Sequence, residues 1–313
     1  MKRRTLIAAT AVTLAAPLVK AQSLPKGPVR IIVGFPPGGG TDALARVVAQ
    51  KLQAMWGISI VIENKAGAAG VIAADYVSKQ APDGNTLLMA HINSHALAPA
   101  MGTKLNYDAE RDFAPISMVG VTPNILICNP DQPAKTVAEL VELCKRQPGK
   151  ISFASAGAAT ASHLAAELMA DEGKVDLLHV PYKGGAPALT DVMAGSVDLY
   201  FGNAASTLQH VTSGKLRALG VSARQRLKSL PGVPTLSESG MPQYEVLEWN
   251  GIFVPKATPA DVLQRLSKEV QAALADPKVR ERLQQADFRT LDAWEYRQVE
   301  RWAREIRVTL PQQ

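Results

Sequence analysis

Short apolar runs alternate with longer amphipathic segments along almost the whole chain. The apolar runs are rich in Val, Ile and Leu and are typical of strands that helices cover on both faces. The predicted strands are 29–35, 58–62, 86–90, 115–121, 124–128, 151–154, 176–180, 197–201, 217–221 and 249–254. The predicted helices are 41–55, 69–79, 136–146, 160–171, 185–194 and 204–212, with a further run of helices from residue 259 onward. This alternation predicts an α/β fold.

The length of the chain predicts two lobes, because a single hydrophobic core rarely serves nearly 300 residues. We expect lobe 1 to comprise residues 22–121 together with 249–313, and lobe 2 to comprise residues 122–248. The alternation of strands and helices predicts a doubly wound α/β unit for each lobe. Two such units joined by two chain crossings leave a cleft between the carboxyl ends of their strands, where open α/β sheets bind ligands.

Residues 1–21 have the pattern of a secretory signal peptide. Residues 2–4 are basic, residues 6–19 are apolar, and a small-residue cleavage site ends at Ala21. The apolar stretch is shorter than the roughly 20 residues that a membrane span needs. We therefore expect export of the mature protein. The pair Arg3-Arg4 leaves open whether the route is the general secretory or the twin-arginine pathway.

The charge of the chain argues against nucleic-acid and membrane-surface binding. The formal net charge is +6, from 34 basic and 28 acidic residues. The predicted signal peptide holds four of the basic residues and none of the acidic ones, which leaves 30 against 28, a net charge of +2. The remaining basic residues are scattered and do not interleave with aromatic ones.

Two cysteines, Cys128 and Cys144, are the only ones in the chain. In an exported protein such a pair forms either a disulfide or two buried thiols, and the sequence leaves both possibilities open. No spacing of Cys, His and Asp resembles a metal site, so we expect no bound metal.

A glycine-rich loop between the first strand and the first helix predicts an anion-binding site. Gly38, Gly39 and Gly40 let a ligand approach the backbone closely, and Thr41 or Asp42 can cap the helix. The first-turn N–H groups then face the ligand with the positive end of the helix dipole behind them. We expect the ligand to be a small carboxylate or a similar anion.

Two nucleotide-binding motifs share part of this spacing. The Walker A frame starting at Gly34 has Gly40 where the phosphate-binding lysine belongs, which argues against a nucleoside triphosphatase. The dinucleotide fingerprint fits better, with Gly38, Gly40 and Ala43 followed by Glu63 about twenty residues later. A dinucleotide-dependent oxidoreductase is therefore the alternative function, although an exported protein meets little nicotinamide cofactor.

A second loop of small and hydroxyl-bearing residues follows the strand at 151–154. Its backbone and hydroxyl groups can bind an anion, so the two loops can hold a dicarboxylate between them. An ordinary close-packed connection explains the composition equally well. The candidate residues of this loop are Ser155, Ala156, Gly157, Thr160 and Ser162. Tyr182 and Asn203 follow neighbouring strands and are weaker candidates for the same cleft.

Catalysis is not predicted. The chain has no Gly-x-Ser-x-Gly nucleophile elbow, and the serines of the second loop have no identifiable histidine and acid partners. Paired carboxylates are missing as well, and no cofactor is expected. These features favour a protein that holds a ligand without transforming it.

Six motifs together resemble the periplasmic solute receptors of tripartite tricarboxylate transporters, also called Bug receptors. They are Pro36–Asp42, Glu63–Gly70, Pro82–Leu87, Phe153–Gly157 with Ser162–Leu164, His179–Gly184, and Pro231–Thr235 with Glu238–Gly240. Their order and their spread over nearly the entire mature chain make the resemblance specific.

The resemblance implies a two-domain periplasmic-binding-protein fold, type II-like, whose cleft closes on one small organic acid. It also implies that the ligand carboxylates contact the loops 38–42 and 155–162 and that integral-membrane transporter subunits receive the ligand. A monomer in the periplasm is expected. A sensor that docks a signalling partner when the ligand is bound is a further alternative.

The chain departs from the family pattern at two points of the cleft. Family members often have Phe-Asp-Asn where this chain has Phe201-Gly202-Asn203, and we expect this loss of an acid either to widen the tolerance for anions or to disfavour ligands with an ammonium group. The second loop is rich in alanine, at positions 158, 159 and 161, which favours a more apolar ligand such as an aromatic carboxylate.

Overall fold

A computed structural model describes residues 27–285 and 288–289. The strands are β1 (Val29–Val33), β2 (Ile60–Asn64), β3 (Thr86–His91), β4 (Phe113–Cys128), β5 (Ser152–Ser155), β6 (Leu178–Pro181), β7 (Leu199–Asn203), β8 (Arg217–Val221) and β9 (Leu247–Pro255). The helices are α1 (Gly40–Trp56), α2 (Val71–Ser78), α3 (Ala98–Ala100), α4 (Val137–Arg146), α5 (Ala161–Gly173), α6 (Gly185–Met193), α7 (Ala204–Thr212), α8 (Ala260–Ala275) and α9 (Pro277–Gln285). A 3₁₀ turn at Ala68–Gly70 precedes α2, and a π-helical turn at Asn93–Leu97 precedes α3. The predicted signal peptide lies outside the described residues.

The strands form one mixed sheet in the order β2-β1-β3-β9-β4-β7-β5-β6, with β8 also paired to β4. Strands β1, β2 and β3 are parallel, as are β5, β6 and β7, whereas β9 runs antiparallel to both β3 and β4. We call the β1–β3 side with α1, α2, α8 and α9 lobe 1, and the β5–β8 side with α4–α7 lobe 2. The domain boundaries in the sequence remain a prediction.

Strand β4 connects the two lobes. The prediction of separate strands at 115–121 and 124–128 is wrong, because β4 runs without a break for 16 residues. Its partner changes instead: Phe113–Pro123 pair with β9, and Asn124–Cys128 pair with β7 and β8. Thr122 and Pro123 lie at this change of partner.

Both faces of β1 pack against helices, which explains why this strand is largely apolar. On one face Ile31 contacts the core that Leu52 of α1 and Leu266 of α8 contribute. On the other face Ile32 and Val77 of α2 belong to a second core. The predicted alternation of strands and helices is thus realised as a layered α/β structure.

Lobe 2 is built in the same way around Phe153, Phe201 and Tyr244, which are at most 1% exposed. Cys128 and Cys144 belong to this core as free thiols. Burial raises the pKa of each thiol to about 11, which keeps both protonated and unreactive at neutral pH. Within the described part of the chain, no helix combines the length and apolar character needed to cross a bilayer.

Truncation of a core residue of α8 tests how much this helix contributes to lobe 1. Leu266 is fully buried, so Leu266→Ala should lower the free energy of unfolding by about 2–5 kcal/mol through lost burial and a residual cavity. Leu178 of β6 is 54% exposed, and Leu178→Ala should change stability by no more than about 0.5 kcal/mol. Urea denaturation of both variants measures the difference, and equal effects would contradict the packing of α8.

Candidate ligand-binding cleft

A cavity lies between the two lobes, at the carboxyl ends of β1, β3 and β7. It has about 450 Å³ of space not filled by protein, including its opening to solvent. Its lining residues are Phe35, Pro36, Gly39, Gly40, Thr41, His91, Asn93, Ala156, Thr160, Ser162, Gly185, Tyr200, Asn203, Ser206 and Glu248. None of them is a lysine or an arginine.

The amino terminus of α1 faces this cavity with unpaired backbone donors. The helix begins at Gly40, and its N-cap Gly39 provides no side-chain acceptor. The first helical hydrogen bond runs from Ala43 N–H to Gly39 C=O, so the N–H groups of residues 40–42 have no intrahelical acceptor. The prediction that Thr41 or Asp42 caps the helix is therefore wrong. Thr41 lines the cavity, and its hydroxyl has no hydrogen-bond partner among the described residues.

Asp42 shapes the glycine-rich loop from behind the cavity. Its carboxylate accepts hydrogen bonds from the Arg46 guanidinium at 2.8 and 3.0 Å, from Asn64 Nδ2 at 2.9 Å and from Gly38 N–H at 3.1 Å. Burial on its own would raise the pKa of Asp42, but these hydrogen bonds and the Arg46 charge lower it below its usual value. The ionised carboxylate thus stabilises the loop conformation that places Gly40 and Thr41 at the cavity.

The hydroxyls of the lobe 2 loop mostly form hydrogen bonds within the loop itself. Thr160 caps α5 by accepting a hydrogen bond from His163 N–H, and it donates to Gly157 C=O at 2.7 Å. Ser162 Oγ accepts from Ala156 N–H at 3.0 Å. The two loops therefore contribute different groups to one cavity. The start of α1 contributes unpaired backbone N–H donors, whereas the loop before α5 already forms hydrogen bonds within itself.

Ser155 has a histidine partner that the sequence did not reveal. Its Oγ lies 2.6 Å from His179 Nε2, and the His179 ring packs against the rings of both Phe153 and His163. Burial and the neighbouring His163 lower the pKa of His179. Among the described residues no carboxylate bonds to His179, and Ser155 does not line the cavity, so a serine–histidine–acid triad is not formed.

Side chains that the sequence analysis did not select form the floor of the cavity. Glu248 Oε2 accepts from Asn203 Nδ2 at 2.6 Å and lies 3.2 Å from His91 Nε2. Tyr200 lines the cavity beside them, and burial together with the Glu248 charge raises the pKa of its hydroxyl well above the usual value. Glu248 is the residue before predicted strand 249–254, and His91 is the residue after predicted strand 86–90. Polar residues at strand ends were the available signal.

The lobes touch each other directly across the cleft. Asn93 Oδ1 accepts a hydrogen bond from Ala161 N–H, the first residue of α5, at 3.0 Å. On the opposite side of the cavity, Asn203 Oδ1 lies so close to Gly40 that a Cβ at that position would collide with it. Gly40 therefore allows the close approach of the two lobes at this point.

The structure divides the candidate site residues into two groups. Those that line the cavity are Gly39, Gly40, Thr41, Ala156, Thr160, Ser162 and Asn203. Those that do not line it are Gly38, Asp42, Ser155, Gly157 and Tyr182. Tyr182 is directed elsewhere, because its hydroxyl donates to Asp191 at 2.6 Å. Ligand binding by any of these residues remains a prediction.

Comparison with known proteins shows the family of this chain. The family model described as "Tripartite tricarboxylate transporter family receptor" matches residues 44–307. The chain belongs to this receptor family. A Pseudomonas sp. strain P51 protein, the UPF0065 protein in the tcbD-tcbE intergenic region, is 39% identical over 92% of this chain and 87% of its own length. Protein BugT of Bordetella pertussis is 36% identical over 85% of this chain and 82% of its own length.

Solved structures confirm the predicted two-lobed periplasmic-binding-protein fold of the receptor. Periplasmic binding protein BugD is 37% identical with a TM-score of 0.82, over 91% of this chain and 98% of its own. Rpa4515 of R. palustris, solved with adipate, is 30% identical with a TM-score of 0.86, over 90% and 94% of the two chains. MatC of Rhodopseudomonas palustris, solved with bound malate, is 31% identical with a TM-score of 0.84, over 90% and 97%.

The hydrogen bonds of Asp42 predict how the stability of the receptor depends on pH. A carboxylate whose pKa is lower in the folded state adds stability above its unfolded value of about 3.9, and this contribution disappears as the pH falls through the folded value. The stability difference between wild type and Asp42→Asn should therefore be constant from about pH 7 to pH 5 and shrink below about pH 4.

Urea denaturation at each pH measures this difference. Asp131→Asn, at an exposed position, controls for the loss of one carboxylate. A difference that persists undiminished to pH 3 would show that the charge of Asp42 does not stabilise the loop.

Proposed function

We propose that this receptor captures a small organic carboxylate in the cleft and passes it unchanged to the membrane subunits of a tripartite transporter. The observation that carries the proposal is the open amino terminus of α1, whose free N–H groups and Thr41 hydroxyl face a cavity shared by both lobes. The relatives solved with adipate and with malate hold ligands of this chemical class.

Helix dipoles provide the positive potential that such a ligand needs. Four helices start at the cavity: α1 at Gly40, α5 after Thr160, α6 at Gly185 and α7 after Asn203. The starts of α1 and α6 have no side-chain cap, so their first-turn N–H groups are available to a carboxylate. Backbone donors suit an anion that must be released again, because they bind charge without a covalent step or a metal.

We infer that the receptor works in the periplasm, as a monomer and without catalysis. The predicted signal peptide and the periplasmic binding proteins among its relatives support the location. A cavity completed by one chain supports the monomer. The lack of an acid behind the Ser155–His179 pair, within the described residues, supports binding without turnover.

The oxidoreductase alternative has little support from the site. The ribose-binding role of the fingerprint would fall to Glu63, but this side chain pairs with Arg30 at 3.6 Å and Lys65 at 3.9 Å and does not line the cavity.

Mass spectrometry of gently purified protein separates the alternatives, because a copurified small acid supports the receptor and a copurified dinucleotide supports the oxidoreductase. Pull-down with the membrane subunits, with and without ligand, distinguishes transport from signalling.

Thermal-shift and calorimetric screening with mono-, di- and aromatic carboxylates tests the function directly. At least one carboxylate should raise the melting temperature and bind with a measurable heat. A receptor that binds none of them, in any class, would contradict the proposal.

Replacement of Thr41 tests the α1 site. Thr41→Val keeps the volume of the side chain but removes a hydroxyl that has no other partner, so carboxylate binding should weaken by about 1–2 kcal/mol, or roughly 5- to 30-fold. Thr190→Val, at an exposed position of α6, is the matched control and should leave the affinity unchanged. Isothermal titration calorimetry gives both values, and equal affinity of Thr41→Val and wild type would remove Thr41 from the site.

A further inference from the structure

Glu248 is an acid inside a cavity that is otherwise suited to anions. It is 7% exposed, lines the cavity, and has no lysine or arginine beside it among the lining residues. A buried carboxylate without a cationic partner is costly, so its position calls for a physical reason.

The partners of Glu248 leave its negative charge uncompensated. Asn93 N–H lies 3.2 Å from His91 Nδ1, so that nitrogen accepts a hydrogen bond and carries no proton. The proton of the neutral ring is then on Nε2, which donates to Glu248 Oε2, and the amide of Asn203 donates to the same oxygen. Burial on its own would raise the pKa of Glu248, but hydrogen bonding from the side chains of His91 and Asn203, together with the nearby side chain of Asn124, lowers it below its usual value. Glu248 is therefore an anion at neutral pH.

One oxygen of this anion is left for a ligand. The hydrogen bonds from His91 and Asn203 both go to Oε2. The buried Asn124 amide also lies near the carboxylate and lowers its pKa, but within the described part of the chain it forms no hydrogen bond to Oε1. An ionised carboxylate is acceptor-only, so Oε1 can pair only with a hydrogen-bond donor. If Glu248 served only to anchor Asn203, a neutral amide would do the same without a buried charge.

The acid in this cavity comes from β9, and Gly202 on β7 has no side chain. Family members often have an aspartate at this position, and its loss here suggested either a wider tolerance for anions or a bias against ligands with an ammonium group. A Cβ at Gly202 would collide with Thr207 Cγ2 and lie 2.8 Å from Tyr200 Cε1, so this packing leaves no space for a side chain. Glu248 supplies a carboxylate to the same cavity, which removes the basis of that expectation.

We propose that Glu248 determines the specificity of the receptor. It selects carboxylates whose far end carries a hydrogen-bond donor, either a hydroxyl or an ammonium group. It rejects carboxylates whose far end carries a second ionised carboxylate. The inference rests on the proposed function and narrows its ligand class. The ligand carboxylate pairs with the donors at the start of α1, and the donor group pairs with Glu248 Oε1. A second ligand carboxylate in that place would be repelled by the negative charge of Glu248, and neither carboxylate would have a proton to donate in a hydrogen bond.

Two matched ligand series test this selection by calorimetry. The aliphatic series is pentanoate, 4-hydroxybutanoate, 4-aminobutanoate and succinate, and the aromatic series is benzoate, 3- and 4-hydroxybenzoate and terephthalate. In the series that fits the cavity, a donor-bearing acid should bind wild type at least about tenfold more tightly than the unsubstituted acid and the diacid. This ranking needs no variant.

Glu248→Gln then assigns the selection to the residue. The glutamine keeps the shape, removes the charge and can donate as well as accept, so the preference for the donor-bearing acid over the diacid should fall at least about fivefold. Glu245→Gln, three residues away, removes an exposed carboxylate that pairs with Arg224 and should leave the preference unchanged. Thermal unfolding checks that both variants are folded.

The outcomes separate this inference from the function on which it rests. If no acid binds wild type, the proposed function fails and the inference fails with it. If acids bind but wild type prefers the unsubstituted acid or the diacid, or if Glu248→Gln keeps the wild-type ranking, the inference alone is overturned.

Discussion

The pairing of β4 with β9 is the constraint on which the rest of the structure depends. The two strands run antiparallel from the Phe113–Pro255 pair to the Pro123–Leu247 pair, and from Asn124 onward β4 pairs with lobe 2 strands instead. Both chain crossings between the lobes thus lie side by side in one ladder. The position of the ladder determines where the lobes meet, and the cavity forms at that junction.

The same ladder explains why the polar floor of the cavity is so closely connected. Glu248 is on β9, while His91 and Asn203 end the neighbouring strands β3 and β7 on either side of the β9–β4 pair. Side chains from both lobes therefore converge on one carboxylate. Glu248 therefore lines the cavity and at the same time joins side chains of the two lobes.

Local patterns in the sequence were sufficient for the elements and for the two loops, because strand and helix periodicity depend on neighbouring residues. The sequence could not show features that depend on distant pairing. His91 and Glu248 are 157 positions apart, and the continuity of β4 becomes evident only when its two partners are known. The hydroxyls of Thr160 and Ser162 were correctly placed at the cavity, but their internal hydrogen bonds depend on the folded loop.

The hydrogen bond from Ala161 N–H to Asn93 Oδ1 links the lining of the cavity to the junction of the lobes. It joins the two lobes, so any separation of the lobes breaks it. Apparent affinity is the intrinsic affinity scaled by the population of the binding-competent conformation. A substitution at Asn93, which also lines the cavity, therefore changes the contact between the lobes and the lining of the site together.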